Sequence, residues 1–248
     1  MPNPHIQGWI AASLTKAGGR AEENEDAALG DDNRARFAIA DGASEAWQSG
    51  SWARHLTRAY VERPPGPADM SKWLAVVRKK WKPPAAQQES WYAEVKSEQG
   101  SFATLLGLEF RQASDPPGLV WKTAAVGDSC LFVVRKGTFD VTFPLTSVDG
   151  FGNRPPLVPS AVDQECPEAE WLAGWSEPGD LFLLATDAVA RMLLESGNAK
   201  HPLIQAAEQA VVANVSAPIL DVLTPLRSRL NDDATLLAVK VADRRSTR

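Results

Sequence analysis

Five aspartates stand where an apolar run of this chain stops or starts: Asp26, Asp41, Asp128, Asp187 and Asp232. The sharpest case is Arg36-Phe-Ala-Ile-Ala-Asp-Gly-Ala-Ser44, a short buried strand that ends on a carboxylate followed by glycine, where the backbone can turn and approach a ligand. One such junction by itself reads as a turn, and Asp187 by itself reads as a helix N-cap. Five invite a joint reading. Strands of an antiparallel sheet that end at one edge lie beside strands that begin there, so these acids can share one rim. Two carboxylates about 5 Å apart repel by roughly 3 kcal/mol at an effective dielectric near 20, so the rim needs counter-charge. No lysine or arginine directly follows these junctions, and Arg20, in the loop before Asp26, is the nearest candidate. Hard divalent cations are the natural alternative, because magnesium and manganese take oxygen ligands and keep several waters. Two ions bridged by one aspartate would hold a water between them, lower its pKa and make it a nucleophile at neutral pH. That is chemistry for hydrolysing phosphate esters.

Composition narrows the remaining classes. With 248 residues, 44% of them apolar, the chain can bury a sizeable core and reads as one domain over 1–242 with a disordered tail at 243–248. A net charge of −5 with interspersed signs gives no broad basic surface, which argues against nucleic-acid binding. No apolar run approaches the length of a membrane span, and Met1-Pro-Asn-Pro-His5 lacks the charged start and apolar stretch of a secretory signal, so the expectation is a cytoplasmic protein. Cys130 and Cys166 lie far apart in no CxxC spacing and fit thiols in a reducing compartment. With His5, His55 and His201 as the only histidines, a metal would be held through oxygen. There is no internal repeat, Walker loop, GxSxG elbow, HExxH or EF-hand loop.

The elements that must position the acids follow from periodicity. Ile6 to Ser13 reads as a first strand, and Ala27 to Leu29 with Ala35 to Ala40 as a hairpin, which sets Asp26 and Asp41 at the same sheet edge. Helical spacing predicts helices over Glu45 to Val61, Met70 to Trp81 and Ala85 to Gln99, with Pro64-Pro-Gly-Pro67 and Pro83-Pro84 as breaks. The tryptophans at this spacing read as core. Strands follow over Ser101 to Arg111 and Val120 to Val126, joined by the Asp115-Pro-Pro-Gly118 turn, and over Leu131 to Val134, which Arg135-Lys-Gly137 turns into another hairpin. Residues 143–168 are proline-bearing and without clear period, a loop or small flap. Leu181 to Ala185 is a buried strand, Ala188 to Glu195 a helix, and Leu203 to Val212 and Ile219 to Leu230 are two more, the last interrupted at Pro225. Ala234 to Val241 closes the pattern as a strand.

Read in order, Asn24-Glu25-Asp26, Ala40-Asp41-Gly42, Gly100-Ser101-Phe-Ala-Thr104, Val126-Gly127-Asp128-Ser129, Ala185-Thr186-Asp187 and Asp232-Asp233-Ala-Thr235 resemble the motifs of the type 2C metal-dependent protein phosphatases, over nearly the whole chain and most like the compact bacterial branch. Each motif is short; six in order are specific. The resemblance implies an α+β fold, a β-sandwich of two antiparallel sheets flanked by helices in four α/β/β/α layers. It also implies two or three Mn2+ or Mg2+ ions at one end. Asp41 would bridge both principal ions and the Gly42 carbonyl would help hold the second. Asp187 and Asp232 would ligate the first, Asp26 with Glu25 the second, and Asp128 with Asp187 an additional weaker site. Arg20 would bind phosphate. The implied activity is hydrolysis of phosphoserine and phosphothreonine in a phosphoprotein, a target of a cognate kinase, by a monomeric signalling enzyme.

The chain departs from that family's pattern in four places. Arg20 lies one residue further from Asn24-Glu25-Asp26 than usual, Ala43-Ser44 replace the histidine or glycines that usually follow Asp41-Gly42, Cys130 replaces an arginine, and Ala188 replaces a glycine. None removes a carboxylate. The altered loops leave a second reading open, a catalytically weak relative that binds a phosphoprotein or kinase as a regulatory module. A third takes the acids as turn residues and caps of an ordinary α+β domain.

Overall fold

Alternation of apolar side chains along each strand builds two cores on every central strand, and this decides the architecture. The structure, a computed structural model, describes residues 5–44, 46–83, 100–152 and 154–243. Its strands are β1 (Ile6–Leu14), β2 (Ala27–Asp31), β3 (Arg36–Ala40), β4 (Phe102–Ala103), β5 (Leu105–Ser114), β6 (Pro117–Val126), β7 (Cys130–Arg135), β8 (Thr138–Phe143), β9 (Val158–Pro159), β10 (Glu170–Trp175), β11 (Leu181–Ala185) and β12 (Ala234–Val241). Its helices are α1 (Ser49–Glu62), α2 (Met70–Lys80), α3 (Asp187–Ser196), α4 (Pro202–Ala213) and α5 (Ala217–Leu223). One antiparallel sheet runs β1-β12-β11-β7-β8 and the other β10-β6-β5-β3-β2, with a small β4-β9 pair beside them.

Successive side chains of a strand face opposite sides. Phe37 and Ile39 of β3, Leu106 and Leu108 of β5, Phe182 and Leu184 of β11 and Leu237 and Val239 of β12 therefore meet between the sheets. Their neighbours face outward. Ala38 and Ala40 pack under Trp52, Leu56 and Tyr60 of α1 and Leu74 of α2. Leu181, Leu183, Leu236 and Ala238 pack under Val189 and Leu193 of α3, Leu203 and Ala207 of α4 and Ile219 of α5. Two antiparallel sheets flanked by helices is the fold class expected from the sequence.

Several elements differ in their bounds from the expectation. The helix expected from Glu45 begins at Ser49, after Gln48 in the left-handed conformation, and Gly42 packs on its first turn: a Cβ at Gly42 would lie 2.7 Å from the Ser49 carbonyl carbon and 2.9 Å from Gly50 N. The strand expected over Ser101 to Arg111 is broken at Thr104 into β4 and β5. Residues 143–168 are mainly loop, with a short helical turn at Val148–Gly150 and β9 paired to β4. Strand β10 was not expected, and Pro225 does interrupt the last helix, which ends at Leu223 and continues as a 3-10 turn at Thr224–Leu226. The helix expected over Ala85 to Gln99 and nearly all of the tail lie outside the described residues. Cys130 and Cys166 are both free thiols, and among the described residues no helix is long and apolar enough to cross a membrane.

Candidate functional site

Strand register brings the acidic junctions to one end of the sandwich. Ala27 opposes Ala40, so Asp26 and Asp41 flank a single pair of positions at one edge of their hairpin. Leu105 opposes Val126, Cys130 opposes Ala185, Ala185 opposes Leu236 and Ala234 opposes Leu14. The loops carrying Asp41, Asp128, Asp187 and Asp232 therefore leave the two sheets side by side. They line one cleft of about 400 Å³, together with Gly42, Ala43, Thr104 and Arg154.

Each acid is held by neighbours of a different kind. Thr104 grips Asp41 through the backbone: Asp41 N–H donates to Thr104 Oγ1 at 2.9 Å, and Thr104 N–H donates to the Asp41 carbonyl at 2.8 Å. The break between β4 and β5 is thus the point where the chain clamps the carboxylate-bearing residue. Asp26 is buried beneath the cleft, with Oδ2 accepting from the Thr186 hydroxyl at 3.0 Å and Oδ1 buried without any hydrogen-bond partner among the described residues. Thr186 in turn accepts from Thr235 N–H at 2.9 Å. Asp187 begins α3 and accepts from the next amide, Ala188 N–H, at 2.5 Å. Asp232 accepts from Asp233 N–H at 2.8 Å and from the Lys16 ammonium at 3.3 Å.

Electrostatically the cleft is overloaded with negative charge. Burial, with the charges of Asp26, Asp187, Asp232 and Asp128 added, pushes Asp41 well above the usual carboxylate range. Burial likewise raises Asp26 to about 7, despite the opposing hydroxyls of Thr235 and Thr186, and raises Asp128 to about 6 with Asp187 beside it. Asp187 is shifted upward by burial and by Asp232. Like charges in a low dielectric disfavour joint ionisation. Consistent with that, no three His, Cys, Asp or Glu side chains among the described residues close into a formed ligand cluster. Asp41, Asp128, Asp187 and Asp232 line one cleft, and Asp26 lies outside that lining, bonded to Thr186.

An all-oxygen wall of four carboxylates and a buried, partnerless fifth carboxylate oxygen fit a hard divalent cation. Two predicted participants stand apart. Glu25 turns sideways, accepting from the Ser49 hydroxyl and lying 3.9 Å from the Lys16 ammonium. Arg20 is exposed, does not line the cleft, and its amide donates to Glu23 Oε2 at 2.9 Å.

Lys16, which sequence reasoning missed, is not itself in the cleft lining but pairs its ammonium with the lining residue Asp232. Its ammonium also donates to Ser44 Oγ at 3.0 Å. Burial alone would lower its pKa, but Asp232, Asp233 and Glu25 outweigh that and hold it above its ordinary value. The loop carrying it is fixed twice. Arg227 donates to the carbonyls of Thr15, Lys16 and Gly19 at 2.6, 2.9 and 2.9 Å, and the buried Asp233 accepts from Lys16 N–H at 2.8 Å and Glu25 N–H at 2.7 Å. The only signal in the sequence was a lysine opening the Lys16-Ala-Gly-Gly-Arg20 loop. Arg154, an exposed cation on the cleft wall, lies in the aperiodic stretch and carried none.

No protein-family model matches the chain, and no curated protein matches it by sequence. Solved structures do. The catalytic domain of the serine/threonine protein phosphatase PstP, described in complex with two manganese ions, aligns over 96% of this chain and 99% of its own with a TM-score of 0.62 at 15% identity. PppA, described as a regulatory component of the type VI secretion system of Pseudomonas aeruginosa, aligns over 95% and 99% with a TM-score of 0.58 at 18% identity. The PPM Ser-Thr phosphatase MsPP from Mycobacterium smegmatis, in complex with cacodylate, aligns over 95% and 98% with a TM-score of 0.57 at 15% identity. Over some 95% of its length, the chain has the fold of these solved structures.

Proposed function

We propose that this chain is a metal-dependent protein serine/threonine phosphatase that hydrolyses phosphoserine and phosphothreonine at the acid-lined cleft. The observation that carries the reading is one cleft lined by Asp41, Asp128, Asp187 and Asp232, with a partnerless buried oxygen of Asp26 beneath it. The shared fold supports it, and the two manganese ions named for the PstP catalytic domain support a divalent metal here. Asp41 and the Gly42 carbonyl would help hold the ions, with Asp187 and Asp232 at a first position, Asp26 at a second and Asp128 with Asp187 at a third, while Glu25 would join the second only by leaving Ser49. Bound there, such ions supply a water of lowered pKa and offset charge on the phosphoryl oxygens.

The chain's own contribution is positioning and charge. Thr104 fixes Asp41 from both sides of its peptide backbone, and Thr186 fixes Asp26, so neither has to reorganise when substrate arrives. Arg154 on the cleft wall and Lys16, paired with the lining residue Asp232, would serve the equatorial phosphoryl oxygens, with Lys16 in the role expected of Arg20. Among the described residues no histidine lines the cleft, so the departing seryl or threonyl oxygen takes its proton from water. The substrate would be a phosphoprotein, the target of a cognate kinase, and the chain would act as a monomer.

Hydrolysis of an aryl phosphate and of a phosphothreonine peptide, each with manganese and with chelator, tests this. Turnover should require the metal and fall by about 100-fold or more in Asp41→Asn, the scale of losing a preorganised charge-stabilising group. Absence of metal-dependent turnover on both substrates would sink the enzymatic reading and favour a phosphoprotein-binding module.

A further inference from the structure

A second, larger hollow of about 670 Å³ adjoins the acid cleft, and Asp187 and Asp232 belong to the walls of both. This hollow runs along α3 to the segment that precedes β12. Half-buried Met192, Leu226 and Leu230 give it an apolar floor, while Arg191 and Arg229 stand exposed on its walls. Neither arginine has an ion pair within 4 Å among the described residues, whereas Arg34, Arg36, Arg111 and Arg135 each do. The Arg191 guanidinium instead lies 4.7 Å over the Phe151 ring, and its charge reaches Asp128 and Asp187. Among the described residues, Glu195 is the single acid in this hollow beyond the two shared aspartates. The His201 ring adds no charge: Nδ1 accepts from Leu203 N–H at 3.2 Å, and burial lowers its pKa.

We propose that this hollow is the groove for the residues flanking the phosphorylated one, and that it selects phosphoprotein segments carrying aspartate or glutamate beside the phosphoresidue. The inference rests on the phosphatase reading for its register. An extended peptide advances about 3.3 to 3.6 Å per residue, so with a phosphoresidue at Asp187 and Asp232 the next two or three residues fall in the hollow. Guanidinium forks recognise carboxylates in a bidentate manner, and two forks without an ion pair among the described residues, beside an apolar floor, match short acidic side chains with aliphatic stems. Because the chain as a whole carries −5, this preference is local to the groove and opposed to the long-range field.

Fluorescence anisotropy with the manganese-loaded full chain tests the assignment directly. Two labelled peptides, each carrying a non-hydrolysable phosphonate analogue of phosphothreonine, differ only in flanking glutamates or flanking lysines. The glutamate-flanked peptide should bind about 10-fold more tightly, and Arg191→Ala with Arg229→Ala should bring the two affinities together. Equal affinities or a reversed order in the unmodified chain would overturn the groove, with no variant needed. A full preference surviving in the double variant would overturn it too. Aryl phosphate hydrolysis in the same preparation separates the two levels: preference without hydrolysis removes the phosphatase reading and keeps the groove, and hydrolysis without preference removes the groove alone.

Discussion

Lys16 and Thr186 do different work at the same cleft, and each can be tested on its own. Lys16 bonds Asp232, a residue of the cleft wall 216 positions away in sequence, whereas Arg20 is exposed and bonds none of the cleft acids. Lys16→Met should therefore raise the KM for a phosphopeptide by about 10-fold, equivalent to ~1.4 kcal/mol of binding, while Arg20→Ala changes it far less. A larger effect at Arg20 would return the phosphate contact to that residue. Thr186 is fully buried and joins Asp26 to Thr235. Thr186→Val keeps the shape but leaves two partners unsatisfied, and should lower stability by about 1 to 3 kcal/mol in urea unfolding. Thr186→Ser, which keeps the hydroxyl, should recover most of that loss. Neither residue was legible as functional in the sequence, since a hydroxyl or an ammonium acquires its meaning from partners that only the fold supplies. The carboxylates were legible because each marks a place where an apolar run stops or starts.

At the scale of elements, α1 can lie on the second sheet because β5 offers it a glycine. A Cβ at Gly107 would sit 2.1 Å from the Tyr60 ring, which is completely buried and has no room to yield. Gly107→Ala should cost about 1 to 3 kcal/mol or more through overpacking, read as a lower urea midpoint. The Tyr60 hydroxyl, by contrast, is buried without a partner among the described residues. Tyr60→Phe should be neutral or stabilising by about 1 kcal/mol, because it removes an unsatisfied polar group. A marked loss in Tyr60→Phe would mean that the hydroxyl is satisfied in solution. The same packing logic explains which elements could be read from the sequence. β3, β11 and β12 are runs of apolar residues facing cores on both sides, and their pattern is unmistakable. Strand β10 is largely exposed at a sheet edge, and its Gly174 exists to let the Trp121 ring pass: a Cβ there would meet that ring at 2.6 Å. A glycine required by a distant tryptophan leaves no periodic trace.

On the scale of the whole molecule, the sandwich stabilises itself through three apolar layers and places its least favourable electrostatics at one end. Asp26 and Asp128, raised to about 7 and about 6, titrate far above an unfolded aspartate, and Asp41 and Asp187 are shifted the same way. An acid whose folded pKa is raised contributes stability that is fully present below its unfolded pKa of about 4 and is lost as pH rises through the folded value. For the metal-free chain these acids therefore erode stability between about pH 4 and pH 7. A divalent ion acts in the opposite sense, since it binds the deprotonated carboxylates and must displace their protons at lower pH. Manganese at about 100 times its Kd should add ~2.7 kcal/mol. For a chain of this size that is a rise in Tm of about 5 to 10 °C. The rise should be small near pH 5 and grow to its full size by about pH 7.5, following the release of those protons. Asp26→Asn should stabilise the metal-free chain near neutral pH, because it removes a charge that the fold accommodates poorly, and should flatten the pH dependence of the manganese effect. Scanning calorimetry over that range distinguishes this from acids serving only as turns and caps, for which manganese shifts Tm at no pH and Asp26→Asn is destabilising throughout.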